Sequence, residues 1–80
     1  MVCTQMYTAY DVRHTIGMNV RRIRKSKGLE IFEVIGKMEK PYKSLERLEL
    51  GLQTHVSINA LIDIADALGA DVFDFFRKLK

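Results

Sequence analysis

The sequence predicts an all-α domain, and three observations predict it. Apolar residues recur at spacings of three and four in five successive runs, the period of one helix face. Gly28, Gly51 and Gly69 each follow such a run, where a left-handed residue closes a helix. No stretch alternates apolar and polar residues for long enough to make a strand. A chain of 80 residues holds one domain. Its 48% of hydrophobic residues suffice for a globular core. A domain this small buries only ~60% or slightly more of its unfolded surface. Dimerisation is a common further source of stability at that size.

The first helix is expected over residues 11–27, capped by Asp11. Val12, Ile16, Val20 and Ile23 share its inner face. Lys25 and Lys27 lie at its C-terminal end, where cations interact favourably with the helix dipole, and Gly28 closes it. A second helix, residues 31–38, carries Ile31, Val34, Ile35 and Met38 at helical spacing. Glu39-Lys40-Pro41 breaks the pattern. Proline disfavours helix at the residue before it but suits the first turn of a new one. The third helix is therefore placed at residues 41–50, with Leu45 and Leu48 inward and Tyr42 a further candidate, ended by Gly51.

After a polar loop at Gln53-Thr54-His55, Ser57 caps a fourth helix over residues 58–68. Its inner face is expected to be Ile58, Leu61, Ile62, Ala65 and Leu68, with Gly69 at its end. Asp71 caps a fifth, residues 72–79, with Val72, Phe73, Phe75, Phe76 and Leu79. Residues 1–10 stand apart from this domain of residues 11–80 as an N-terminal arm. Their Met6, Tyr7 and Tyr10 either pack on the domain, extend the first helix or form a short free arm.

Charge is uneven along the chain. The formal net charge is +3. Arg21, Arg22, Arg24, Lys25 and Lys27 crowd one stretch, and Lys37, Lys40, Lys43 and Arg47 follow. Asp63, Asp66, Asp71 and Asp74 lie in the last quarter. A basic first half points to an anionic partner. Asp63 and Asp66 fit a solvated helix face.

Catalytic classes find little support. Cys3 is the single cysteine, so no internal disulfide forms, which fits a reducing cytoplasm. His14 and His55 are far apart and no cysteine lies at metal-ligand spacing, so neither a metal nor a cofactor is expected. There is no phosphate-cradling glycine loop and no nucleophile elbow. An enzyme is not expected, and no small-molecule ligand is evident. No apolar run approaches the ~20 residues of a membrane span, and the first residues do not read as a secretory signal.

The spacing of the second and third helices carries the functional expectation. Two short helices joined by a turn of about three residues match the crossed pair of a helix-turn-helix. In such a pair the first helix crosses the phosphate backbone, and the second offers its N-terminal side chains to base edges in the major groove. Four segments bear on this. They are Val20-Arg21-Arg22-Ile23-Arg24, Lys27-Gly28-Leu29, Leu45-Glu46-Arg47-Leu48-Glu49-Leu50-Gly51, and the run from Ile58 to Ala70. In register, with 24 residues from Gly28 to Gly51, they resemble the Cro/Xre-type helix-turn-helix family of phage and bacterial repressors, over about residues 16–76.

The resemblance implies a five-helix lambda-repressor-like DNA-binding domain, acting on double-stranded DNA as a transcription regulator and repressor. It implies a bacterial or phage-encoded protein of the cytoplasm, at the nucleoid when bound. Arg24 matches the family's arginine that pairs with a glutamate, here Glu49. Tyr42, Lys43 and Arg47 match positions that face base edges. Lysine and arginine donate to guanine O6 and N7, and tyrosine meets a sugar or a thymine methyl. Ser44, short and near the helix start, is a further contact. Lys37, Lys40 and Arg21 are candidate phosphate contacts, whose neutralisation makes affinity fall with salt.

The chain departs from the family pattern at Glu30 and Ile31, where a hydroxyl cap and a glutamine usually open helix two, and at Ile35, where an alanine is usual. Glu39 stands at the turn glycine and must either become left-handed or reshape the turn. Lys40 replaces an apolar residue. Glu46 either accepts from cytosine N4 or repels the backbone. These changes favour a rival expectation, a helix-turn-helix reused as a protein-interaction module. Phe73, Phe75, Phe76 and Leu79 exceed what one face of an eight-residue helix needs, which points to a homodimer interface reading a palindrome. Alternatively Phe73 and Phe76 close the monomer core while Phe75 is partly solvated.

Overall fold

A computed structural model describes residues 8–40 and 42–77 of the chain. They form four α-helices, α1 (Ala9–Ser26), α2 (Ile31–Lys37), α3 (Leu45–Glu49) and α4 (Ile58–Leu68), and a closing 3-10 helix (Val72–Phe76). No strand occurs among the described residues. Cys3, Met6, Tyr7, Pro41 and Leu79, and the expectations placed on them, lie outside the described residues.

Helix α1 begins at Ala9, so it takes in Ala9 and Tyr10. Its cap is Thr8 and not Asp11. The Thr8 hydroxyl accepts from the Asp11 amide at 3.1 Å, and the Asp11 carboxylate accepts from the Thr8 amide at 3.0 Å. This reciprocal box satisfies two donors that a helix start leaves free. Ile16, Val20 and Ile23 are buried as the spacing predicts, whereas Val12 is exposed. Gly28, Gly51 and Gly69 follow α1, α3 and α4 with φ of 68°, 75° and 68°.

The core joins the inner faces of all five elements, with Val20, Val34, Leu45, Ile64 and Phe75 fully enclosed. Each such side chain contributes ~1.5–3 kcal/mol relative to exposure. On α4 the Ser57 hydroxyl caps the helix by accepting from the Ala60 amide at 3.0 Å. Its buried set is Leu61, Ile64, Ala65 and Leu68, the i, i+3, i+4, i+7 pattern. Ile64 and not Ile62 completes that stripe. Ile62 sits on the flank, and Ile58 in the first turn reaches past the core edge, so both are exposed.

The fifth element departs most from expectation. It is a 3-10 helix ending at Phe76, and not an α-helix through residue 79. Three residues per turn set Val72 and Phe75 on one side. Phe75 is therefore the enclosed aromatic, against its expected place at an interface, while Phe73 is 75% exposed and Phe76 is 43% exposed, the reverse of the alternative in which those two close the core. Asn19 explains why the element stops. Its amide nitrogen donates to the carbonyls of Phe75 at 2.9 Å and Arg77 at 2.8 Å. A continuing α-helix would use the Phe75 carbonyl internally. The Asn19 oxygen accepts from Arg22 at 3.2 Å, so this fully buried amide is satisfied on both sides.

Helix α1 also packs unusually close to the end of α3. A methyl group on Gly17 would collide with the carbonyl oxygen of Leu48 and come within 2.8 Å of that of Glu49. Only a residue without Cβ fits there.

Candidate nucleic-acid interface

Helices α2 and α3 form the expected helix pair, but its second member is shorter than the 41–50 expected. Helix α3 spans only Leu45–Glu49, and Tyr42, Lys43 and Ser44 precede it in a turn. The chain leaves α2 at Met38 in an extended conformation, φ −76° and ψ 143°. Among the described residues no non-glycine residue has positive φ, so Glu39 is not left-handed. The turn is reshaped instead. The Asp63 carboxylate on α4 accepts from the amides of Glu39 at 3.1 Å and Lys40 at 2.9 Å. Those amides are thus satisfied outside any helix.

Helix α2 opens on Glu30, whose side chain makes no cap hydrogen bond. Its amide donates to the Glu33 carboxylate at 2.8 Å. The core-facing residues Val34, Met38, Leu45 and Leu48 are buried and fix both helices on the domain.

The expected contact residues divide. Lys37, Lys40, Lys43 and Arg47 are all exposed. Arg47 donates to the Leu52 carbonyl at 3.4 Å, a long bond that leaves it free to turn outward. Ser44 is half-buried at the start of α3 and makes no cap bond. Tyr42, expected at base edges, instead packs half-buried against the core. Its hydroxyl is enclosed with no partner among the described residues, and burial pushes its pKa up.

Arg24 and Glu49 form the best-defined polar contact. Arg24 Nε donates to Glu49 Oε2 at 2.6 Å and Nη2 to Oε1 at 2.9 Å, while Nη1 donates to the Leu29 carbonyl at 2.7 Å. One guanidinium therefore ties α1 to α3 and to the α1–α2 loop. Its hydrogen bond to Glu49 raises the Arg24 pKa against the opposing effect of burial. Beside this pair lies a groove of about 580 Å³, bordered by Arg21, Lys25, Glu30, Ile31, Glu46 and Leu50. Arg21 is thus exposed on one wall, facing a mixed acidic and apolar rim.

Of the expected dimer residues, Phe75 is fully buried in the core and unavailable to a partner. Phe73 and Phe76 are exposed. Phe76 joins Val12, Ile58 and Val56 around a second, largely apolar groove. Among the described residues no cluster of His, Cys, Asp or Glu is placed to hold a metal ion, and no helix is long and apolar enough to cross a membrane.

Asn19 and Gly17, which organise this region, were not singled out from sequence, and Asp63, expected on a solvated face, is half-buried and bonded to the turn. Asn19 had a signal, being a polar residue at a core position three after Ile16 and four before Ile23. Gly17 had the signal of a mid-helix glycine, which marks a close approach. The role of Asp63 at the turn had no signal, since its partners lie 24 and 23 residues away.

Solved structures share this architecture. The clp gene regulator ClgR from C. glutamicum is 31% identical, with a TM-score of 0.71, over 80% of this chain and 82% of that chain. The chain belongs to the family of ClgR. A hypothetical transcription factor from Neisseria, NHTF, superposes with a TM-score of 0.75 at 17% identity, over 96% of this chain and 87% of its own, which shows a shared fold. The fold is thus one that transcription regulators use. No family model matches the sequence, and no curated protein matches it.

Proposed function

We propose that the chain binds double-stranded DNA as a transcription regulator of the Cro/Xre type, through α2, the turn and α3. The observation that carries this reading is the run of exposed cations Lys37, Lys40, Lys43 and Arg47 on that segment. Lys43 and Arg47 would donate to base edges, with Ser44 beside them, and Lys37, Lys40 and Arg21 would meet phosphates. Kinship with ClgR, a clp gene regulator, supports the same role. Selection from random duplexes tests it. An enriched sequence should emerge, and Arg47→Ala should relax one position of it at a cost of ~1–3 kcal/mol. Selection that enriches nothing contradicts sequence-specific binding.

The regulator would repress as a homodimer on a palindromic operator, its two α3 segments about 34 Å apart. Exposed Phe73, Phe76, Ile58 and Val12 support such an interface in place of the buried Phe75. A sedimentation mass of one chain at micromolar concentration argues against it.

A second reading has its own support. Phe32 is 73% exposed and Leu50 is 54% exposed on the same helix pair, among the exposed acids Glu30, Glu39 and Glu46. Apolar and acidic groups there suit a protein partner better than a phosphate backbone. Binding to another protein with none to duplex DNA at low salt would favour this reading.

A further inference from the structure

The segment from Met38 to Ser44 carries two of the cations assigned to DNA, Lys40 and Lys43, yet it is not helical among its described residues. A side chain on a helix is aimed by the helix's own hydrogen bonds. One on a connecting turn is aimed only by what holds the turn. Among the described residues, the side-chain hydrogen bonds that reach the backbone of this segment come from Asp63 alone. One carboxylate takes two successive amides, Oδ1 from Glu39 and Oδ2 from Lys40, across 24 and 23 residues of sequence. Charge-assisted bonds of this kind are about twice as strong as neutral ones. The bidentate geometry also fixes the plane of the peptide between the two residues. The place where a flexible glycine turn would be expected is thus held by an anchor on α4.

We infer that Asp63 is a positioning residue for DNA recognition: it touches no DNA itself, but sets the path of the turn that aims Lys40 and Lys43. This rests on the DNA-binding reading above. It adds that specificity depends on α4, outside the helix pair. Losing the clamp lets the turn wander. Base-directed contacts need fixed geometry and suffer, whereas attraction between the same cations and phosphates tolerates movement.

The test compares the full-length chain with Asp63→Ala and Asp63→Asn on two duplexes, the sequence selected by the unsubstituted chain and an unrelated sequence of equal length. Amide hydrogen exchange is followed in parallel. Asp63→Ala should speed exchange at Glu39 and Lys40 while leaving the core amides of Val20 and Ile64 protected. It should lower affinity for the selected duplex by about tenfold and for the unrelated duplex by less than about threefold. Asp63→Asn keeps one acceptor oxygen and should fall between. Affinity and specificity unchanged in Asp63→Ala overturn the positioning role and leave the DNA reading intact. Equal losses on both duplexes, with core amides exposed, assign Asp63 to general stability and also overturn it. An unsubstituted chain that binds neither duplex overturns the DNA reading, and the role of Asp63 with it.

Discussion

Arg24 and Glu49 meet through two hydrogen bonds of 2.6 and 2.9 Å with 9% and 4% of their side chains exposed, and so close α1 onto α3. A buried pair of this kind is costly to break on one side, because the remaining charge is left without a partner. Arg24→Ala or Glu49→Ala should each destabilise the domain by ~3–5 kcal/mol. That is a large part of the ~5–15 kcal/mol a whole domain commands. Arg24→Met with Glu49→Leu should recover much of the loss, since neither charge then remains buried. Chemical denaturation of the three variants measures this. A double variant as unstable as the sum of its parts would contradict the account.

Gly17 is a steric prediction. Gly17→Ala improves helix propensity by ~1 kcal/mol in an ordinary helix interior. Here the added methyl runs into the backbone carbonyls of Leu48 and Glu49. The clash should win, and thermal unfolding should show a net loss. A gain in melting temperature would mean that α1 and α3 are further apart than described.

Asn19 holds the 3-10 helix against α1 through the carbonyls of Phe75 and Arg77. Asn19→Leu fills the space but leaves those acceptors unsatisfied, at ~1–3 kcal/mol for each carbonyl that stays buried. The loss should appear as faster amide exchange over residues 72–76, with α2 and α4 less affected. Uniform loosening of the whole domain would show that the tie is not local.

The domain was legible in the sequence where one periodicity settled the structure. Ser57, Gly69 and the bounds of α4 follow from capping and spacing within the helix itself. Thr8 was missed as a cap because Asp11, its partner in the box, is an equally plausible cap when read alone. Phe75 was grouped with Phe73 and Phe76 at an interface because spacing alone does not tell which of two residue pairs three apart, Val72 with Phe75 or Phe73 with Phe76, faces the core. That choice depends on tertiary packing, and Asn19 bonds the Phe75 carbonyl from 56 residues away. Of the interface, exposure of Lys43 and Arg47 could be read from spacing. The inward turn of Tyr42 and the Asp63 clamp could not, because both depend on tertiary packing.

Acid should loosen the start of α1. Hydrogen bonds from the backbone and then the side chain of Thr8 hold the Asp11 carboxyl below its ordinary 3.8. A lowered folded value stabilises the ionised form. The contribution is therefore complete above about pH 3.8 and is lost as pH falls through the lowered value. The Thr8 amide resonance should move over that acid range, and Asp11→Asn should remove the movement. A Thr8 amide that is insensitive to pH in the native protein would mean that the box does not form.

The measurement that bears most directly on the central claim is equilibrium binding to duplex DNA as a function of salt. Each phosphate neutralised contributes about −0.9 to the slope of log affinity against log salt. Binding should be tightest at low salt, and Lys40→Ala should reduce the slope by about one unit while leaving sequence preference in place. No binding to duplex DNA at low salt, where the attraction of Lys37, Lys40, Lys43 and Arg47 for phosphate is strongest, would contradict a DNA-binding role for this helix-turn-helix.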